Sequence, residues 1–109
     1  MKKKNRVKKH EEFQKLIHSG KKAANHSFVF YWLPKKEDEG RIGITLSKKT
    51  GNAVKRNLIK RQVRMMCQDL IDFDQQKIDG VLIVRFGYLS NTFEQNKKNL
   101  EKLLSKATM

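Results

Sequence analysis

Apolar residues recur along this chain with two different periods, and the changes of period divide it into elements. Phe13, Leu16 and Ile17 stand at helical spacing behind His10, Glu11 and Glu12. Ser19-Gly20 then offers a stop in which the glycine is free to take the left-handed C-terminal conformation, which predicts a short first helix. Residues 27–34, "SFVFYWLP", are rich in aromatic and β-branched side chains, so Phe28 to Leu33 is predicted to be a strand closed by proline. Alternation places Phe28, Phe30 and Trp32 on one face and Val29, Tyr31 and Leu33 on the other. Neither face suits bare solvent, so both are covered or one binds a partner. Trp32 reads as core.

After the polar turn "KKEDEG", residues 35–40, "RIGITLS" alternates Ile42, Ile44 and Leu46 against Gly43 and Thr45, predicting a second strand antiparallel to the first. A basic turn over residues 47–51 leads to Asn52, a good N-cap for a long helix reaching about Asp72. "GVLIVRF", Gly80 to Phe86, is almost unbroken apolar sequence. Such a run suits a central strand, reached by a helical crossover and parallel to its predecessor. Thr92 can cap a last helix whose Phe93, Leu100, Leu103 and Leu104 face the sheet. The pattern therefore predicts an α+β fold, a two-layer α/β sandwich in one domain spanning residues 1–109.

The long helix carries the chemistry. At about 100° per residue, with Lys55 as zero, Arg56, Lys60, Arg64, Asn57 and Arg61 fall between roughly 100° and 240° and form one polar stripe. Val54, Met65, Leu58, Met66, Ile59, Leu70 and Val63 fill the arc from roughly 260° round to 80°, the face expected to pack on the sheet. Cys67, near 120°, reads as a small side chain beside the stripe. From Arg41 to Gln68 there are eight Lys or Arg residues and no Asp or Glu, and Asp69, Asp72, Asp74 and Asp79 follow. A merely solvated helix face is the ordinary meaning of a charge run. Here the segregation argues otherwise, since a helix built only for solubility would intersperse both signs and gain i,i+4 pairs.

Composition sharpens this. A formal charge of +14 and a pI near 10.1 point to a polyanionic partner, RNA, DNA or an anionic surface. Residues 1–9 carry six cations and no acid, which by self-repulsion predicts a basic arm that stays mobile until an anion neutralises it. No stretch approaches the roughly 18 apolar residues of a membrane span, and the basic start is not followed by an apolar signal core, so a soluble, cytoplasmic protein without a membrane partner is expected. Cys67 is the one cysteine, and His10, His18 and His26 do not share adjacent helical turns, so no metal site is expected in the chain. There is no evident Ser/His/Asp or Cys/His set, and no paired carboxylates interrupt the basic stretches, so no catalytic residue is assigned.

At "SKKTGNAVKRNLIKRQVR" the sequence closely resembles the protein subunit of bacterial ribonuclease P, whose basic helix reads approximately A-V-x-R-N-R-x-K-R-x-x-R after S-K-K-x-G-N. Ala53, Val54, Arg56, Asn57, Lys60, Arg61 and Arg64 match it, and the likeness extends to "KNRVKKHEEFQKLI", "FVFYWL" and "GRIGITLSKK". Leu58 stands where the family has the second arginine of Arg-Asn-Arg. The resemblance implies about four strands with three helices, and a left-handed βαβ crossover where the default would be right-handed. It implies a non-catalytic partner of a catalytic RNA that removes the 5′ leader of precursor tRNA, with Mg²⁺ held mainly by the RNA. It further implies RNA binding by Lys48, Lys49, Arg56, Asn57, Lys60, Arg61 and Arg64, and leader binding by Phe13, Ile17 and Tyr31 in a cleft between the sheet and the first helix. Ile17 occupies a position where an aromatic is often found. On residue type alone, Phe13 and Tyr31 read as core. Two rival functions are a general structured-RNA or ribosome-associated binding module and a stand-alone nuclease.

Overall fold

In the computed structural model, which describes residues 1–35 and 38–108, the elements run α1 (His10–Ser19), β1 (Lys21–Ala24), β2 (Phe28–Pro34), β3 (Arg41–Leu46), α2 (Ala53–Leu70), β4 (Ile78–Val84) and α3 (Phe93–Thr108). Single 3-10 turns occupy Lys3–Asn5 and Phe86–Ser90. The expected polar turn at 35–40 includes Lys36 and Glu37, which lie outside the described residues.

The four strands form one mixed sheet in the order β1-β2-β4-β3. β4 is central, antiparallel to β2 and parallel to β3, in register Phe30 with Leu82 and Ile44 with Leu82. β2 and β3 therefore run antiparallel as expected but are not neighbours. The short connection between them suggested a hairpin, whereas the more apolar β4 takes the middle place, where strands are buried on both faces. β1 has no β-branched or aromatic residue, and the residue pattern alone did not reveal it. It is a short edge strand, held to β2 by a turn in which Asn25 Oδ1 accepts the backbone N–H groups of Ser27 and Phe28, both at 3.0 Å. Gly20 is also unlike the expectation. Its φ of −76° and ψ of 158° are extended, because the chain passes straight from α1 into β1. A glycine is required there because a Cβ would lie 2.4 Å from the Leu16 carbonyl oxygen.

Alternation sorts the core. Phe28, Phe30, Trp32, Ile42, Leu46, Leu82 and Val84 join Ile59, Val63, Met66 and Cys67 of α2 and Leu100, Leu103 and Leu104 of α3 in the main cluster. Phe30 and Trp32 stack at 5.3 Å between centroids, and Tyr88 meets Phe28 edge-on at 5.7 Å. On the opposite face Val7, Leu16 and Val81 form a second cluster with Phe13, Leu33 and Ile83 against it. Thus α2 and α3 make one layer on the sheet, and α1 covers part of the other side.

Three expectations change in detail. The roll of α2 differs from the wheel: Ile59, Val63, Met66 and Cys67 are buried, while Val54, Leu58 and Met65 are exposed. The buried arc centres roughly 70° away from the one expected, toward the cationic side. Apolar content cannot say which residues the sheet and α3 can reach. Likewise Phe93 is exposed rather than facing the sheet, because it lies in the first turn of α3, beyond the layer that Leu100 and Leu103 contact. Thr92 does cap that helix, its Oγ1 accepting from Gln95 N while Gln95 Oε1 accepts from Thr92 N. Finally, the basic arm is packed along β3. Asn5 and Val7 are buried, Val7 N–H donates to the Ile42 carbonyl, and Asn5 Nδ2 donates to the Gly40 carbonyl at 2.9 Å. Two uncharged side chains among the cations anchor it, and Lys4 Nζ adds a pairing with Glu39 at 2.8 Å.

A buried polar knot ties α3 to the β1–β2 turn. Ser27 Oγ donates to Asn96 Oδ1 at 2.8 Å, Asn96 Nδ2 donates to the Tyr88 carbonyl at 3.0 Å, and Asn99 Nδ2 donates to Ser27 Oγ at 3.0 Å. Replacing Asn96 by Ala leaves a buried hydroxyl and a carbonyl without these partners. We expect it to lower unfolding stability by about 1–3 kcal/mol, read from the urea midpoint.

Candidate nucleic-acid interface

The first half of the site is built on the turn entering α2. Gly51 has φ +114°, a conformation that L side chains rarely adopt, and Asn52 then caps the helix through its side-chain oxygen, which accepts from Lys55 N at 3.0 Å. Buried Thr50 donates its hydroxyl to the Ser47 carbonyl at 2.8 Å. Arg56 reaches back one turn, Nη1 donating to the Ser47 carbonyl at 2.9 Å and Thr50 Oγ1 at 3.0 Å. Arg56 is thus an anchor for the turn as well as a surface cation. Lys48 and Lys49 stand exposed on that turn.

Further along α2, Lys60 and Arg64 are half-buried, and Asn57 and Arg61 are exposed. Together with Arg6 and Met65 they line an open depression of about 820 Å³. Sequence places Arg6 only within the arm, and the packing of Asn5 and Val7 on β3 is what brings it beside the stripe. Among the described residues none of Lys48, Lys49, Arg56, Lys60, Arg61 and Arg64 is in an ion pair. The acid nearest in sequence, Asp69, is paired with Lys97 of α3 at 3.0 Å. Among the described residues no acid is paired with these cations, and the one acid that lines the same depression, Asp69, is engaged by Lys97, so the surface keeps a strong positive field.

The second half lies across the sheet. Phe13 and Ile17, one turn apart on α1, and Tyr31 on β2 are all half-buried. Phe13 packs into the second cluster and sits on Gly43, where a Cβ would fall 2.6 Å from its ring. The absent side chain of Gly43 is what lets α1 approach. Lys22, the cross-strand partner of Tyr31, places Nζ 5.6 Å from the centre of the Tyr31 ring. The three residues named for the leader thus lie on α1 and on the sheet face it partly covers. Phe13 has a packing role there whatever else it does.

The position of α1 is also held by charge. Arg41 of β3 makes a two-point pairing with Asp79 of β4, at 3.1 and 2.9 Å, and its Nη2 donates to Glu12 of α1 as well. Lys35 Nζ adds a contact to Asp79 at 3.1 Å. Burial pushes the Asp79 carboxyl up, but the hydrogen bonds and charges of Arg41 and Lys35 outweigh it and hold the group below the usual carboxylate range. The same acids push Arg41 further up, with burial opposing. Burial pushes the Cys67 thiol up to about 12, so it is inert as a nucleophile. Tyr88, raised to about 12 by burial, donates to Gln62 Oε1 at 2.8 Å. Among the described residues no group of three His, Cys, Asp or Glu is placed to hold a metal ion, and no helix is long and apolar enough to cross a membrane.

Because the folded-state pKa of Asp79 is lowered, its contribution is present above the unfolded carboxylate pKa, about 3.9, and is lost as pH falls through the folded value. Thermal midpoints should therefore drop below about pH 4, and Asp79→Asn should lower the midpoint at pH 7 while flattening that acid limb. A scan from pH 2 to 7 on both proteins checks this.

Comparison with known proteins gives matches over nearly the whole chain. The family model described as Ribonuclease P matches residues 1–108. The ribonuclease P protein component of Bacillus pumilus (strain SAFR-032) is 44% identical over 110 residues, covering all of this chain and 92% of the relative. That of Bacillus cereus (strain AH187) is also 44% identical, covering all of this chain and 96% of the relative. Among solved structures, the Staphylococcus aureus RNase P protein superposes with a TM-score of 0.82 at 36% identity, covering 94% of both chains. The Thermotoga maritima RNase P protein gives 0.79 at 27% identity, covering 93% of this chain and 96% of that one.

Proposed function

Because the chain belongs to the ribonuclease P protein component family, we propose that it is the protein subunit of a ribonucleoprotein endoribonuclease, assisting a catalytic RNA in removing the 5′ leader of precursor tRNA. The observation that carries this reading is the unpaired cationic surface running from Lys48 through Arg64, joined by Arg6. Such a surface binds phosphates and releases their counterions, which is how a protein holds a structured RNA. The hydrolytic step is assigned to the RNA, with Mg²⁺ held mainly by its phosphates. Nothing in this reading asks the chain for a nucleophile or a general base. The complex is expected to act in the cytoplasm.

The cleft supplies the second function. Phe13, Ile17 and Tyr31 offer apolar and aromatic surface to single-stranded leader, and an aromatic stacked on a base contributes about 1–3 kcal/mol. Cations of the first surface offset repulsion between two polyanions, and contacts in the cleft favour precursor over mature tRNA. The first effect is screened by added Mg²⁺, whereas the second survives it.

Single-turnover cleavage with the cognate RNA should rise on adding the protein, most at low Mg²⁺ and less as Mg²⁺ increases. Cleavage by RNA-free protein would overturn the cofactor role, and no stimulation at any Mg²⁺ concentration would favour a general RNA-binding module. Lys60→Ala with Arg64→Ala should lower RNA affinity and reduce the salt slope by about 0.7–0.9 per lost phosphate contact at an unchanged thermal midpoint. Arg56 is left in place because it anchors the turn. For the cleft, Tyr31→Ala should weaken precursor tRNA binding by the holoenzyme about 5- to 100-fold more than mature tRNA binding, as loss of one stacked base would. Equal losses for the two tRNAs, with a lowered thermal midpoint, would make Tyr31 a packing residue only.

A further inference from the structure

The roll of α2 leaves a second feature on its solvent side. Val54, Leu58 and Met65 are 80%, 47% and 55% exposed, and they are three of the five large apolar side chains most exposed among the described residues. Their spacing of four and then seven residues puts them within roughly 40° of one another on the helix, along about 16 Å of its length. Arg61, also exposed, stands at the edge of this sector, about 20° beyond Val54, so the ridge reads Val54, Leu58, Arg61, Met65 from one end to the other. Isolated exposed apolar residues on a surface mean little. Three in one sector of the helix that carries the unpaired cations, interrupted only by Arg61, form an apolar ridge that is costly to leave in water.

We propose that this ridge packs against unstacked bases of the catalytic RNA, so that α2 grips its partner by base faces as well as by phosphates. The inference rests on the RNA-binding reading above and adds what part of the RNA is held. The occupant has to be anionic, because Arg61 lies within the ridge, Lys55 flanks it, and Lys60 and Arg64 line the adjoining depression. It also has to present flat apolar surface. A regular RNA duplex satisfies the first requirement and fails the second, since its bases are stacked inside and its outside is phosphate and ribose. Unpaired bases in a loop or bulge meet both. The adjoining depression adds the polar groups such bases need, with Asn57 and Gln68 on its wall beside Met65. A second copy of this chain is disfavoured, because each copy carries +14 and would bring Arg61 toward its own equivalent.

The test is a salt series of affinity for the cognate catalytic RNA, using wild type, Leu58→Ser with Met65→Ser, and Lys60→Ala. Both serine sites are exposed, so thermal midpoints should not move. The serine pair should bind about 5- to 20-fold more weakly at every salt concentration with an unchanged slope, because no phosphate contact is lost. Dimethyl sulfate probing should show unpaired bases protected by wild type and reopened by the serine pair. Lys60→Ala should instead lower the slope by about 0.7–0.9. Affinity within two-fold of wild type, a reduced slope in the serine pair, or no change in base protection would each overturn the proposal while leaving RNA binding intact. A Lys60→Ala variant with unaltered affinity and slope would instead remove α2 from the interface, and the RNA-binding reading of this helix with it. Concentration-dependent dimers, or binding to phosphatidylglycerol vesicles, lost in the serine pair while its RNA affinity stays normal would assign the ridge elsewhere and overturn the proposal.

Discussion

Strand β4 can lie buried in the middle of the sheet because its backbone is paired on both sides, antiparallel to β2 and parallel to β3. A strand left unpaired at either edge would bury polar groups without partners, at about 1–3 kcal/mol each. Once β4 is central, its alternating side chains define two cores. Leu82 and Val84 receive α2 and α3, while Val81 and Ile83 receive α1 and the N-terminal segment. The parallel step from β3 to β4 obliges the chain to cross over, and α2 is that crossover. The cationic helix and α1 with Phe13 thus lie on opposite faces of one strand.

That arrangement resolves an energetic conflict within α2. Arg56, Lys60 and Arg64 repeat at four-residue spacing, and each like-charge pair at that distance costs about 0.2–0.5 kcal/mol. Burial of Ile59, Val63, Met66 and Cys67 acts in the other direction, and a large apolar side chain taken fully from water contributes about 1.5–3 kcal/mol. Packing wins by a wide margin, so the helix can carry a surface that disfavours itself. The Asn52 cap and the Arg56 anchor hold the first turn, where repulsion would otherwise fray the end.

The other face of the sheet shows a different constraint. Phe13 of α1 packs close against β3, and Gly43 makes room for its ring by contributing no side chain at the contact. Arg41 then ties α1 to β3 and β4 through Glu12 and Asp79, so the separation of helix and sheet is set by a charge-assisted network as well as by apolar packing. Phe13 is left half-buried, as are Ile17 on the same helix and Tyr31 on β2.

Local pattern alone determined a good deal of this protein. The aromatic strand, the Asn52 and Thr92 caps, the apolar run of β4 and the uncompensated cations of residues 41–68 are each written in neighbouring residues, because capping, alternation and charge act over a few positions. The order of the strands was not legible, since a hairpin between β2 and β3 and the insertion of β4 between them satisfy the same local preferences. Nor was β1, whose Lys-Lys-Ala-Ala is a strand only because β2 offers an edge. The roll of α2 was decided by what the sheet and α3 could reach, which buried Cys67 and exposed Leu58. The place of Arg6 beside the stripe depends on two buried residues of the arm meeting β3, a contact between segments more than thirty positions apart. Forces that act between distant segments leave no mark on the sequence near either one, and only the tertiary structure brings them together.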